Sequence, residues 1–306
     1  MNALQPNTHI DRALGAFIGL AAGDAVGTTV EFKPRGTFEP LRDMVGGGPF
    51  GLAPGQWTDD TAMAICLAES LIAFPEFDPR DLMTRFEAWM TRGVNSPTGT
   101  CFDVGITTSS AIRRFQRNGE PLAGQVDPST AGNGSIMRLS PAVLRWWRQP
   151  AKAERVAALQ SRTTHGAREA VDACALLARA LCRLIAGEGK AALQNADPAW
   201  SAKIGMIGQG AYRNKAEREI SSSGYVVHTL EAAFWVIQRA DDFETAILTA
   251  ANLGDDADTV AAVTGQLAGA LWGHAGIPSH WRERLHDHDR LMTLGQTLFD
   301  AGVTKQ

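Results

Sequence analysis

The sequence predicts an all-α fold in a single domain. Apolar residues recur at helical spacing along most of the chain. No run alternates β-branched and polar residues for more than a few positions. No Ser/Gly/Pro-rich stretch is long enough to separate two domains, and no repeat of fixed period appears. The 306 residues are 44% hydrophobic, enough for one sizeable core. The domain is expected to span residues 1–306, with residues 1–9 frayed.

Helices are expected near residues 10–25, 60–74, 79–92, 104–117, 136–148, 152–161, 167–187, 197–209, 226–239, 242–252, 258–273, 279–287 and 288–301. In the first, "ALGAFIGLAAGDA", Gly15, Gly19 and Gly23 recur every fourth residue and make a flat face for close packing. This run lacks a basic region before it and is too short to span a bilayer, so it reads as core and no membrane insertion is expected. "REAVDACALLARALCRLIAG" is the clearest helix, with Ala, Leu and Cys at i, i+3 and i+4 and Gly187 as its stop. The Trp146–Trp147 pair reads as core on one side and partly exposed on the other, and "HDHD" (286–289) as a solvated helix boundary. Asn118-Gly119 sits between a basic helix end and a loop, so no hairpin is expected. Long Gly- or Ser-rich loops occupy residues 33–56, 118–135 and 210–225, and loops of that length in a compact domain carry function or disorder.

The net charge of −4 gives no electrostatic reason to expect a nucleic-acid partner. Cys66, Cys101, Cys174 and Cys182 show no CxxC spacing. Cys174 and Cys182 share a helix, about 12 Å apart at 1.5 Å per residue, too far for a disulfide. Buried thiols in a reducing cytoplasm are expected.

Two segments open an apolar helix with a knot of Asp and Thr: "GQWTDDTAM" and "NLGDDADTVAAVTGQLAGALWG". Either alone reads as a helix cap, with Thr58 or Asp258 beside the positive end of the dipole. Together, Asp59, Asp60, Asp255, Asp256 and Asp258 bring more negative charge than capping uses. Gathering like charges in a partly buried place costs free energy unless a cation sits among them. The ligands are hard oxygens, which suit Mg²⁺, Mn²⁺ or Ca²⁺ and disfavour structural Zn²⁺. Counted from Asp256, position 6 is Ala261 and position 12 Leu267, which excludes an EF-hand. Two segments that each deliver carboxylates and a Thr hydroxyl suit two cations a few ångströms apart.

"GAFIGLAAGDAVGTTVEF", "GQWTDDTAM", "AGNGSIMRLSP", "TTHGAREA", "SGYVVHTLEAA" and "NLGDDADTVAAVTGQLAGALWG" together resemble the ADP-ribosylglycohydrolase family, from about residue 10 to residue 290. That group includes dinitrogenase reductase-activating glycohydrolases and ADP-ribosylarginine hydrolases. The resemblance implies a compact orthogonal multi-helix domain with two divalent cations, Mg²⁺ or Mn²⁺, in a central cleft. The implied reaction is hydrolysis of the bond between ADP-ribose and a modified protein side chain, and the implied partners are an ADP-ribosylated protein and ADP-ribose. Its motifs place Thr58, Asp59, Asp60, Asp256, Asp258 and Thr259 as metal ligands, and leave Asp255 without a ligand position.

By the same resemblance Glu31, otherwise a surface residue ending a helix, lies at the metal site and places water or gates substrate. Asp24 orders the turn before it. Asp103 reads either as the N-cap of a helix from Val104 or, by resemblance, as the general acid/base; Glu31, Asp103 and Asp60 are the expected catalytic group. Gly132, Asn133, Gly134, Ser135 and Met137 lie in "GNGSIMR", which reads as an anion cradle at a helix start, and the lack of a following GK[ST] excludes a Walker A loop. His165 at a helix start is expected to line the site. Ser223, Gly224 and Tyr225 are expected to close over the distal ribose or adenine, Tyr225 as a stacking ring.

The bond breaks through an oxocarbenium-like state, and two cations can bind the ribose hydroxyls and lower the pKa of water. A guanidine leaves protonated, so an acid is needed near it. Arginine-linked ADP-ribose is the expected substrate, because a carboxylate at Asp103 can pair with a guanidinium through two parallel hydrogen bonds. The alternatives are hydrolysis of serine-linked or free ADP-ribose derivatives, a phosphoesterase acting on ADP-ribose, and a non-catalytic ADP-ribose-binding protein.

Overall fold

The structure is a computed structural model that describes residues 8–303. Of the expected fraying over residues 1–9, residues 1–7 lie outside the described residues, whereas Thr8 accepts a hydrogen bond from the Asp11 amide and caps the first helix, which begins at His9. Thirteen α-helices and five short 3₁₀ turns follow among the described residues, and the only β-type pairings are isolated bridges. In chain order they are α1 (His9–Gly27), α2 (Asp59–Ala73), α3 (Pro79–Arg92), α4 (Ile106–Asn118), α5 (Ser140–Trp146), α6 (Pro150–Thr164) and α7 (Arg168–Ile185). Then come α8 (Ala202–Gly208), α9 (Val226–Arg239), α10 (Phe243–Ala251), α11 (Ala257–Trp272), α12 (Ser279–Arg284) and α13 (His288–Val303).

Three helices, α5, α8 and α12 (Ser279–Arg284 of the expected 279–287), fall short of the expected span. α5 starts at Ser140 rather than near residue 136, because Pro141 lacks a backbone donor and is accommodated in the first turn of a helix but not in its interior. Gln266 of α11 bonds the groups left over. Its amide nitrogen donates to the carbonyls of Ile136 (3.0 Å) and Met137 (2.9 Å), and its oxygen accepts from the Ser140 amide at 3.0 Å. α8 covers only Ala202–Gly208 of the expected 197–209. Trp146 and Trp147 are both buried, Trp147 stacking on Phe299 at 5.5 Å, which corrects the expected half-exposed pair. Cys66, Cys174 and Cys182 are buried free thiols and Cys101 is half-buried.

α1 and α11 run antiparallel along the centre of the core, backbone against backbone. A Cβ on Gly15, Gly19 or Gly23 would overlap the carbonyl oxygen of Gly269, Gly265 or Ala261 respectively. The four-residue glycine spacing is therefore a packing seam. His9–Val30 is long and apolar enough to cross a membrane by composition, but 94% of its most apolar window is buried within the fold. The antiparallel pairing sets the C-terminal end of α1 beside the N-terminal end of α11. Asp24, near the end of α1, then reaches the start of α2. Its carboxylate accepts from the amides of Thr58 (2.9 Å) and Thr61 (3.0 Å) and from both threonine hydroxyls. α2 is thus capped by a residue of α1 instead of its own Thr58.

Gly19→Ala should force the seam apart and destabilise the fold by about 1–3 kcal/mol. Denaturant unfolding measures this; wild-type stability would show that the two backbones do not need to meet.

Candidate active site

The three helix ends bring the two Asp-Thr knots together. The Thr58 hydroxyl, which donates to Asp24, lies 3.2 Å from Asp258 Oδ2, and the Thr259 hydroxyl lies 3.4 Å from Asp60. Thr58, Asp60, Asp258 and Thr259 are buried, and Asp59 is nearly so. Carboxylate oxygens of Asp24, Asp60 and Asp258 lie within 4.8 Å of one another, as do those of Glu31, Asp103 and Asp258. The two trios share Asp258. Asp24 is a poor ligand despite its position, because its two oxygens already accept the four hydrogen bonds from Thr58 and Thr61. By contrast Asp60 Oδ2 and Glu31 Oε2 are buried without a hydrogen-bond partner. Orphaned buried carboxyl oxygens beside further carboxyl groups are what a hard divalent cation satisfies.

Glu31 ends the 3₁₀ turn Thr28–Val30 and is buried, so it is not the surface residue its sequence position allowed. Asp103 does not cap α4, whose N-cap position is Gly105. Its left-handed backbone (φ 57°) turns the side chain toward Glu31 and Asp258. Burial, reinforced by Asp103, Asp256 and Asp24, pushes Glu31 up to about 10. Burial and the charges of Asp256 and Asp24 push Asp103 up to about 7. Asp59, Asp60 and Asp258 are raised well above the ordinary carboxylate range, chiefly by burial. Hydrogen bonding with Asp258 and Glu31 works in the opposite direction and holds the Asp103 carboxyl down.

Above these acids lies a cavity of about 660 Å³. Glu31, Asp59, Asp103, Asp256 and Asp258 line it, and no Lys or Arg does. Gly132, Asn133, Gly134, Met137, His165 and Gly224 also line it. Residues 131–133 and 224–226 are zipped by a bridge between Gly132 and Tyr225, with the Asn133 amide donating to Gly224 (3.1 Å) and Val226 to Ala131 (3.0 Å). The Asn133 side chain donates to Asp256 Oδ2 at 2.8 Å and ties this loop to the acids. The amides of Gly132, Asn133, Ile136 and Met137 already have acceptors, so among the described residues Gly134 and Ser135 offer the loop's two spare amides. They serve without a helix dipole behind them, since α5 begins only at Ser140. A Cβ on Gly134 would sit 2.8 Å from His165 Cε1, so only glycine lets the ring and the loop meet.

His165 closes α6 instead of opening a helix. Buried Arg138 donates to the Thr164 hydroxyl at 2.8 Å, and that oxygen lies 2.8 Å from His165 Nδ1. The hydroxyl proton therefore goes to Nδ1, and the proton of the neutral ring sits on Nε2, beside Gly132 and Gly134. Burial and the Arg138 charge push the ring's pKa down to about 3, so it donates as a neutral group.

A family model described as ADP-ribosylglycohydrolase matches residues 5–306. The chain belongs to this family. It is 46% identical over 306 residues to "ADP-ribosylarginine hydrolase Tri1" of Pseudomonas putida (strain GB-1), covering 97% of this chain and 80% of the relative. It is 37% identical over 285 residues to "ADP-ribosyl-[dinitrogen reductase] glycohydrolase" of Rhodospirillum rubrum, covering 92% of each. A solved "ADP-ribosylglycohydrolase-related protein complex" superimposes with a TM-score of 0.86 at 41% identity, covering 96% of this chain and 99% of that one.

In this family member some expected residues stand apart from the cavity. The Ser135 side chain is buried beneath the loop, bonded to Ser161 (2.9 Å) and Cys174. The Ser223 hydroxyl pairs with His228 at 2.8 Å. The Tyr225 hydroxyl bonds Glu169 and accepts from Lys203 at 2.7 Å, and its ring packs against Lys203 and His228, so it is engaged on the outer side of the zipped segments. Asp255 is exposed, in keeping with its lack of a ligand position. "HDHD" is not simply solvated, because His286 packs on Trp57 and His288 Nε2 lies 3.1 Å from His274 Nε2. The sequence reading missed Arg138, Gln160, Thr164 and Gln266. Arg138 sits in the turn ahead of α5, Gln160 and Thr164 on α6 and Gln266 on α11, and their only signal was a polar side chain at a core-facing position.

The raised acids predict the pH response of cation-free protein. Each holds its proton more tightly folded than unfolded, so the native state binds more protons. In chelator, stability should be highest near pH 4 and fall as pH rises through about 7, where Asp103 ionises, toward about 10 for Glu31. Thermal melts with EDTA or with saturating Mg²⁺ should diverge as pH rises; parallel curves would contradict the site.

Proposed function

We propose that this chain hydrolyses the N-glycosidic bond between ADP-ribose and arginine side chains of modified proteins, with two divalent cations, Mg²⁺ or Mn²⁺, held by the two Asp-Thr knots. The observation that carries this reading is the cavity's make-up: five acids, no basic side chain, and a glycine loop along one wall in which the Gly134 and Ser135 amides are spare. A diphosphate cannot enter so acidic a cavity unless cations offset the carboxylates. A guanidinium is welcome there. The volume suits a nucleotide-sized ligand. Relatives at 46% and 37% identity bear names of ADP-ribose-removing hydrolases.

Asp60, Asp258, Thr58 and Thr259 would hold the cations from below, with Asp59 and Asp256 at the cavity wall. Bound there, the cations would supply affinity for the ribose hydroxyls and a lowered pKa for water. Gly134, Ser135 and the Nε2 proton of His165 would bind the diphosphate, so that distant contacts orient the ribose over the acids. Asn133, through Asp256, couples that loop to the acids. Asp103, at the cavity wall beside Glu31, is placed to give a proton to the departing guanidine and to take one from water. The free cysteines suit a reducing cytoplasm as the compartment.

The test is mass spectrometry of an arginine-ADP-ribosylated peptide incubated with the protein and Mg²⁺ or Mn²⁺. Unmodified arginine and free ADP-ribose are expected. AMP with ribose phosphate would indicate a phosphoesterase, no product a binding protein, and faster release from serine-linked peptide a different linkage. Asp103→Asn should lower kcat/KM on the arginine substrate by about 10²–10⁴-fold.

A further inference from the structure

Phe32 is out of keeping with ordinary packing. It is 65% exposed. Its backbone is left-handed (φ 63°), which a bulky residue adopts at a cost that glycine would avoid. Backbone hydrogen bonds hold it there: its amide donates to the Asp255 carbonyl at 2.7 Å, and the Asp255 amide donates to the Lys33 carbonyl at 2.9 Å. The residue follows Glu31 and lines the same cavity as Glu31 and Asp103. Its ring meets Phe50 at 6.4 Å and 76°, and Phe50 packs at 5.0 Å on Phe102, the neighbour of Asp103. An aromatic trio therefore spans the two chain segments that deliver Glu31 and Asp103. The core does not need an exposed ring here, and strain held in place at a cavity is a mark of use.

We propose that Phe32 is a specificity-determining residue that stacks its ring on the guanidinium of ADP-ribosylated arginine while the neighbouring carboxylates meet its charge. This rests on the hydrolase reading above and deepens it. A guanidinium is planar, cationic and weakly hydrated, and binds both an aromatic face and a carboxylate. A serine oxygen offers neither plane nor charge. Phe50 and Phe102 brace the ring, and the backbone pairing with Asp255 fixes where it projects.

The experiment compares wild type, Phe32→Leu, Phe32→Trp and Phe32→Gly in the cation-loaded state. Phe32→Leu keeps an apolar side chain and the backbone cost but loses the π face. It should raise KM for arginine-linked peptide about three- to thirtyfold, with kcat and the affinity for free ADP-ribose unchanged. Phe32→Trp should retain wild-type KM. Phe32→Gly removes ring and strain together, so it should show the same KM rise with a Tm no lower than wild type. An unchanged KM in Phe32→Leu overturns the proposal. An equal loss of free ADP-ribose affinity also overturns it, by assigning the ring to the nucleotide. If wild type leaves arginine-linked peptide uncut but binds ADP-ribose, the hydrolase reading fails first and the proposal with it.

Discussion

Negative charge packed into one place is the constraint on which the rest of the structure depends. Asp24, Asp59, Asp60, Asp258 and Glu31 are buried and Asp103 half-buried, and no Lys or Arg lines the cavity beside them. Such groups can be held only by a rigid frame. The frame is the α1–α11 seam, where glycine removes side chains from the contact and lets two backbones touch. Their antiparallel sense places one helix C-terminus and one N-terminus side by side. The Asp24 carboxylate then fastens a third helix, α2, by four hydrogen bonds. Protons hold the acids when no cation does, at the cost of the raised pKa values. A cation would do the same work with the acids ionised.

The second frame surrounds the anion-binding side. Gln266 fastens residues 136–140 to α11, and Gln160 fastens Ser135 (2.9 Å) to α6. Arg138, stacked on Phe86 and bonded to Gln160 and Thr164, aims His165. These buried polar groups satisfy one another, which a low-dielectric interior requires. The consequence for function is a glycine loop and an imidazole held together along one wall of an acidic cavity.

The helices were legible in the sequence because their 3.6-residue apolar period survives burial, as in α7, where Gly187 falls just after the end at φ 95°. The glycine seam was legible from its four-residue spacing. Helix ends were less so. The start of α5 was set by Pro141 and by Gln266 from 126 residues away, and no local pattern carries that distance. At the site, the two Asp-Thr knots were readable because their charge exceeds what a cap uses. Asp24 looked like a local turn residue, and its role as the cap of α2 depends on tertiary contact alone. Ser135 was expected in the cavity as part of the anion cradle and Tyr225 as a stacking ring, but each side chain leaves its segment on the side away from the neighbouring glycine's lining position. The alternation of side chains along an extended or turning backbone sends neighbours to opposite faces.

The central claim is that two Asp-Thr knots 200 residues apart make one cation-binding centre. Anomalous scattering from crystals grown with Mn²⁺ tests it most directly. The account predicts two peaks, both against Asp258, one beside Asp60 and the other toward Glu31 and Asp103. No peak in the cavity, or Mn²⁺ bound to one knot without the other, would contradict it.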